Sequence, residues 1–234
     1  MNIQLRREQI LHTENEFSVV LADTPELVDA ACRLRYQVYC VERGFEPGSN
    51  GIETDEFDSR ARHVLLIHRE SRDVIGTVRV VPPRSSSLDA ALPMQRVCAP
   101  GVLNHLPRWT TGEVSRFAVS KQRRMSLGAT ALVRLSLIQG IVRVSAELGL
   151  THWCAVMEPF LLRLLQMNAI YFSPLGPLVE YHGMRQPSCA NIQSVLDRMQ
   201  RDQWDVWNHI TLGGKLWYDR IDIEQVEVDA RLAA

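Results

Sequence analysis

Four carboxylates fall within six residues at Glu53, Asp55, Glu56 and Asp58, and three arginines stand where charge is costly to place. Arg35 interrupts an apolar-periodic stretch, Arg79 lies inside Gly-Thr-Val-Arg-Val, and Arg116 belongs to the string Glu113-Val-Ser-Arg-Phe117. A guanidinium held in apolar surroundings requires an anion. Glu113, Ser115 and Phe117 alternate with Val114, Arg116 and Ala118, the period of a strand, so an acid and a hydroxyl are expected on one face. Immediately downstream come Lys121, Arg123 and Arg124, then Ser126, Gly128 and Ala129 before a long apolar-periodic segment. Backbone N–H groups, a positive dipole end and nearby cations at such a helix start suit a phosphate or pyrophosphate. The pattern is that of a catalytic strand edge beside an anion cradle. Blander readings stand next to it: a well-capped helix start, a solvated acidic loop, Arg79 facing outward to a surface acid, and Glu113 as a structural partner of Arg79 or Arg116.

The elements that must position these residues follow from periodicity. Residues 17–22 read as a strand. Thr24 and Pro25 start a helix with apolar positions 27, 30, 31, 34, 38 and 41, which Gly44 stops. Arg35 and Tyr39 lie one turn apart on it. Residues 46–60 are turn-rich and acidic, a loop without the spacing of an EF-hand. Strands are expected at 63–68 and 74–81, an excursion with five of the eleven prolines at 82–110, the central strand at 113–119, and a helix from about 127 to Gly149. A strand at 151–157, a helix opened by Glu158-Pro159, one or two strands within 170–181 and a helix carrying Ile192, Val195, Leu196 and Met199 complete the chain. Alternating strands and helices imply an α/β arrangement, a mixed sheet with helices on both faces. The expected division is a domain over 1–186 and an extension over 187–234 packed on or near it.

At 234 residues with 46% hydrophobic and 23% charged, the chain has the composition of a globular domain with a sizeable core. The net charge of −1 gives no field for nucleic acid. Five cysteines without close pairing point to no disulfide framework, no metal site and a cytoplasmic setting. No apolar run is long enough to span a membrane, which leaves peripheral contact open.

The order strand, basic loop, helix resembles the core of the GNAT acyltransferase superfamily, whose pyrophosphate loop reads Arg/Gln-x-x-Gly-x-Gly/Ala; Arg123, Ser126 and Gly128 stand in that frame, with Ser in place of the first Gly. Taken together, Arg35, Tyr39 and Phe45, then Gly51, Glu53, Asp55 and Asp58, then Arg79, then Glu113 to Phe117, resemble the acyl-homoserine-lactone synthases and the N-acyl amino acid synthases. The wording from Leu34 to Glu46 also looks like the acyltransferases associated with exosortase/PEP-CTERM systems. The resemblance implies a mixed, mostly antiparallel sheet flanked by helices, no tightly bound cofactor, and an acyl-phosphopantetheine thioester, on acyl carrier protein or CoA, as co-substrate. It makes Glu113, Ser115 and Arg116 the catalytic candidates, and Arg35, Tyr39, Phe45, Glu53, Asp55, Asp58, Arg79 and Phe117 the substrate-binding ones. Arg123, Arg124, Ser126, Gly128 and Ala129 become the donor-phosphate candidates. Tyr39 and Phe45, where lactone synthases typically carry Phe and Trp, favour an amino acid acceptor over S-adenosylmethionine. Amide formation needs a neutral amine, hence a base, for which Glu113 is the candidate. Arg35, Arg79 or Arg116 is expected to hold the acceptor carboxylate. The competing expectations are a lactone signal synthase, a CoA-dependent acetyltransferase and a non-catalytic acyl-binding module.

Overall fold

The computed structural model describes residues 5–6, 9–14, 16–45, 50–83, 92–125 and 130–218. Among these residues nine strands, β1 (Ile10–Glu14), β2 (Phe17–Ala22), β3 (Arg62–His68), β4 (Val74–Val81), β5 (Thr111–Val119), β6 (His152–Met157), β7 (Ser173–Pro174), β8 (Val179–Glu180) and β9 (Met184–Asn191), interleave with six α-helices. These are α1 (Pro25–Tyr36), α2 (Lys121–Met125), α3 (Thr130–Glu147), α4 (Pro159–Gln166), α5 (Ile192–Asp202) and α6 (Trp204–Thr211). The sheet order is β1-β2-β3-β4-β5-β6-β9-β7, with β8 on β9, and every pairing is antiparallel except β5 with β6.

α1 covers one face. Thr24 caps it by accepting from Leu27 N–H at 3.4 Å, Pro25 supplies the first-turn φ, and Leu27, Ala30, Ala31 and Leu34 bury against Val20, Leu65 and Ile67. The helix expected to run to Arg43 is α-helical only to Tyr36; Gln37–Glu42 is a π-helical turn, a geometry that recurs at functional sites. α3, α5 and α6 cover the other face, where Leu137, Ile141, Leu196 and Trp207 meet Val64, Leu66 and Val78.

α3 crosses the sheet closely because Gly140 presents no side chain there: a Cβ at this position would stand 2.4 Å from Val64 Cγ1. Gly140→Ala should therefore lower stability by about 1–3 kcal/mol despite its better helix propensity, since a buried β-branched neighbour has no room to yield. Chemical denaturation checks this, and an unchanged midpoint would refute the close approach.

Two segments differ from the sequence expectation. The basic stretch read as a loop is the short helix α2 from Lys121 to Met125; the expected start of the long helix near Leu127 lies outside the described residues, and α3 is described from Thr130. The boundary placed after residue 186 falls inside β9, which pairs with β6 over six residues from His152↔Asn191 to Met157↔Gln186. Residues 187–191 are thus part of the sheet, and α5 and α6 contribute Ile192, Leu196 and Ile210 to the main core. Met184-Arg-Gln-Pro-Ser188 lacks strand propensity and carries a proline, which conceals it as a strand. Among the described residues no helix is long and apolar enough to cross a membrane.

Candidate active site

Strand β5 departs from regular pleating at one point. Against β4, Thr77 pairs with Ala118 while Arg79 pairs with Ser115, so three steps on β5 oppose two on β4. The extra residue is taken up at Arg116, which adopts φ +54, a left-handed conformation unusual for a side chain of its size. The bulge shifts the alternation. Phe117 packs in the core on the α3 side, Ala118 in the core on the α1 side, and Arg116 joins the acidic loop that lies on the α1 side. The expectation that Phe117 shares a face with Glu113 and Ser115, opposite Arg116, is corrected accordingly: one inserted residue inverts the phase of all that follow.

The three arginines and three of the carboxylates close on one another. Arg35 donates from Nε to Glu53 and grips Asp58 with both terminal nitrogens at 2.7 and 3.0 Å. Arg79 reaches Asp55 at 2.6 and 2.9 Å, Asp58 at 2.6 Å, and donates from Nε to Ser115 Oγ at 3.2 Å. Arg116 spans Glu53 at 3.0 Å and Asp55 at 3.1 Å. Three positive and three negative charges cancel. Arg35 and Arg79 are fully buried, which only such pairing makes tolerable. Burial alone would raise Asp58, but the Arg35 and Arg79 guanidiniums outweigh it and hold the carboxyl well below the usual range; Asp55 is lowered in the same sense by Arg79 and Arg116. The loop folds onto itself as well, with Asp58 accepting from Asp55 N–H at 2.8 Å and Asp55 from Phe57 N–H at 2.9 Å.

Beyond this network β5 and β6 part. Their parallel ladder runs over Thr111↔His152, Gly112↔Trp153 and Glu113↔Cys154, and there it ends. A cavity of about 620 Å³ fills the wedge between the diverging strands. One wall is polar, with Tyr39, Phe45, Glu53, Asp55 and Arg116; the other is apolar, with Phe117, Ile138, Leu161 and Leu164. α4 carries apolar residues at Phe160, Leu161, Leu164 and Leu165 yet buries none of them, because they face this space.

Glu113 sits at the crotch of the wedge, 3% exposed and lining the cavity. Its Oε2 accepts from Met94 N–H at 2.7 Å, and Oε1 has no hydrogen-bond partner among the described residues. Burial pushes its pKa up to about 8 against the lowering effects of that N–H and of Arg79 and Arg116. A carboxyl tuned to accept a proton near neutrality, with one oxygen tethered and one turned loose beside an apolar slot, is equipped for general acid–base work.

The sequence from residue 34 to 134 matches the family model described as an acetyltransferase (GNAT) domain, a span that holds every member of the charge network and Glu113. An acyl-homoserine-lactone synthase of Vibrio anguillarum is 26% identical over 145 residues, 62% of this chain and 74% of that one. The chain is thus similar over residues 34–134 to the acetyltransferase (GNAT) domain family. Its fold is shared by the crystal structures of the AHL synthase LasI (TM-score 0.58, 18% identity, 76% of this chain and 93% of that one) and of FeeM, an N-acyl amino acid synthase from uncultured soil microbes (TM-score 0.57, 16% identity, 80% and 97%).

In this chain Arg35 and Arg79 are committed to internal carboxylates and lie behind the cavity wall, so neither is placed to hold an acceptor carboxylate directly; Arg116 lines the cavity but is likewise engaged. Their charges are consumed by the folded loop, which sequence spacing could not reveal. Among the donor-phosphate candidates, Arg123 is half-buried and donates to the Val74 carbonyl at 2.7 Å. Ser126, Gly128 and Ala129 lie outside the described residues, as does the side chain of Arg124. Sequence reasoning missed Met94, whose backbone tethers Glu113 from a 3₁₀ turn at Pro93–Arg96, and Arg43, Glu158 and Arg185 at the cavity. A backbone donor carries no residue signature. Glu158 was legible only as a helix opener.

Proposed function

We propose that this chain is an acyltransferase of the GNAT superfamily that moves a long-chain fatty acyl group from the phosphopantetheine thioester of acyl carrier protein, with acyl-CoA as the lesser donor, to the amine of an amino acid in the cytoplasm. The observation that carries the reading is Glu113, a buried carboxyl with a raised pKa at the fork of a wedge that is polar on one wall and apolar on the other. The thioester lies between β5 and β6 with its chain along Phe117, Ile138, Leu161 and Leu164. Glu113 takes a proton from the acceptor ammonium, directly or through water. The freed amine attacks the thioester carbon, the tetrahedral oxyanion is met by backbone N–H groups of β5 beyond the end of its ladder, and collapse breaks the C–S bond to release the thiol and leave an amide. The charge network fixes the acidic loop and Arg116 at the cavity wall, so Arg35, Asp58, Arg79 and Ser115 serve as positioning residues. Lys121, at the cavity rim, faces the donor phosphate.

The test is product analysis: purified enzyme with long-chain acyl carrier protein and pooled amino acids should give an N-acyl amino acid by mass spectrometry. A second reading is favoured by the Vibrio anguillarum relative, namely lactone synthesis from S-adenosylmethionine. That reaction releases a homoserine lactone and methylthioadenosine, so the same spectrum decides between the two. Neither product with any thioester donor would remove both.

A further inference from the structure

With Arg35, Arg79 and Arg116 all matched to acids, the acceptor carboxylate needs other cations, and the cavity supplies a pair at the end of the wedge opposite Glu113. Arg43 follows the π-helical turn, and Arg185 lies near the start of β9. Both reach the same carboxylate oxygen: Glu158 Oε1 accepts from Arg43 Nη1 at 2.7 Å and sits 3.2 Å from Arg185 Nη2. Two guanidiniums against one carboxylate leave one positive charge over. Both planes lie against Phe45, at 5.4 Å for Arg43 and 5.7 Å for Arg185 from the ring centroid, and the ring stacks in turn on Tyr39 and His182.

The guanidinium edges are also open. Arg185 uses Nη2 for Glu158 and for the His182 carbonyl at 2.6 Å, while its Nε and Nη1 have no partner among the described residues. The same holds for Nε and Nη2 of Arg43. Arg185 is nevertheless well enclosed, its side chain 13% exposed, and both residues line the cavity. An enclosed fork of donors without an acceptor is a carboxylate receptor.

We infer that Arg185 and Arg43, held on Phe45 and shared by Glu158, bind the carboxylate of the acceptor and so restrict the enzyme to amines that carry one. The inference rests on the N-acyl transfer proposed above. Its placement fits that chemistry. Glu158 directly follows the end of β6, four residues on from Cys154, the partner of Glu113, a distance of about 13 Å if the extended backbone continues. Glutamate and arginine side chains reaching toward each other take up most of it, leaving room for a molecule whose amine and carboxylate are a few bonds apart. The pair stands with Tyr39 and Phe45 on the polar wall, away from the apolar slot of the acyl chain.

Steady-state kinetics at saturating acyl thioester should show each reactive amino acid preferred over its neutral carboxamide by roughly ten- to a hundredfold in kcat/KM. Arg185→Gln should erase that preference by raising KM for the acid alone, Arg43→Gln should weaken it, and Arg185→Lys should restore part of it; KM for the donor and the rate with the carboxamide should stay put. Calorimetric titration of the free amino acid into the full chain, without donor, should show the same loss in Arg185→Gln. Equal use of acid and carboxamide by the wild type overturns the inference, as does a rise in donor KM, which would assign the pair to the phosphate. If no amine is acylated but the amino acid binds and Arg185→Gln abolishes binding, the transfer reaction falls and the receptor stands.

Discussion

Glu113→Gln should lower kcat/KM by roughly 10²–10⁴-fold with KM for both substrates little changed, because the amide keeps the size and the Met94 contact but cannot take a proton. The wild-type pH profile should carry a limb near the folded-state pKa of about 8, with activity climbing about tenfold per unit below it and levelling above. The variant should lose that limb and keep only the one belonging to the acceptor ammonium. The same substitution changes stability with a definite sign. Glu113 has its pKa raised above the unfolded value, so between about pH 4.5 and 8 the folded state retains a proton that the unfolded state has released. Its stabilising contribution is complete below that window and lost as pH rises through it, at about 1.4 kcal/mol per unit. Between pH 5.5 and 7.5 the wild type should therefore lose about 3 kcal/mol relative to Glu113→Gln. Asp55 and Asp58 have the opposite sign, losing their contribution as pH falls below the ordinary carboxylate range, and they titrate outside this interval in both proteins. A variant with wild-type turnover, or parallel stability curves, would rule out the buried base.

The second large effect concerns the network. Arg79→Met leaves Asp55 and Asp58 without the guanidinium that touches both, in a place where Arg79 itself has no exposed surface. Removing one partner from a buried ion cluster costs about 3–5 kcal/mol, which for a chain of this size is a fall of roughly 6–20 °C in Tm. Activity should fall with it, since Arg79 also holds Ser115 and the loop that forms the polar wall. Adding Asp58→Asn to Arg79→Met removes one orphaned charge and should recover part of the loss, making the pair non-additive. Calorimetry of the two single variants and the double variant reads this directly. A Tm for Arg79→Met within about 2 °C of wild type would show that the cluster contributes packing alone.

What sequence by itself determined was residue type and local period. Arginine among apolar neighbours at 35 and 79 demands an anion wherever the chain goes, and the carboxylates clustered at 53, 55 and 58 lie between them in the chain. The Thr24 cap, the apolar strands and the alternation of elements placed the start of α1 and the strands β3, β4 and β5 within a residue or two, because each rests on contacts a few positions apart. Three features belonged to the tertiary structure. The bulge at Arg116 arises only when β5 is laid against β4, and it alone decides that Arg116 joins the acids while Phe117 leaves them. The raised pKa of Glu113 is a property of its enclosure at a fork where two parallel strands stop pairing, which no spacing within one strand encodes. Arg185 acquired its place from β9, a strand so polar that only the hydrogen-bonding edge of β6 made it one. Local order follows from nearest neighbours along the chain, whereas charge pairing and burial depend on what crosses over from more than a hundred residues away, as Glu158 does to Arg43.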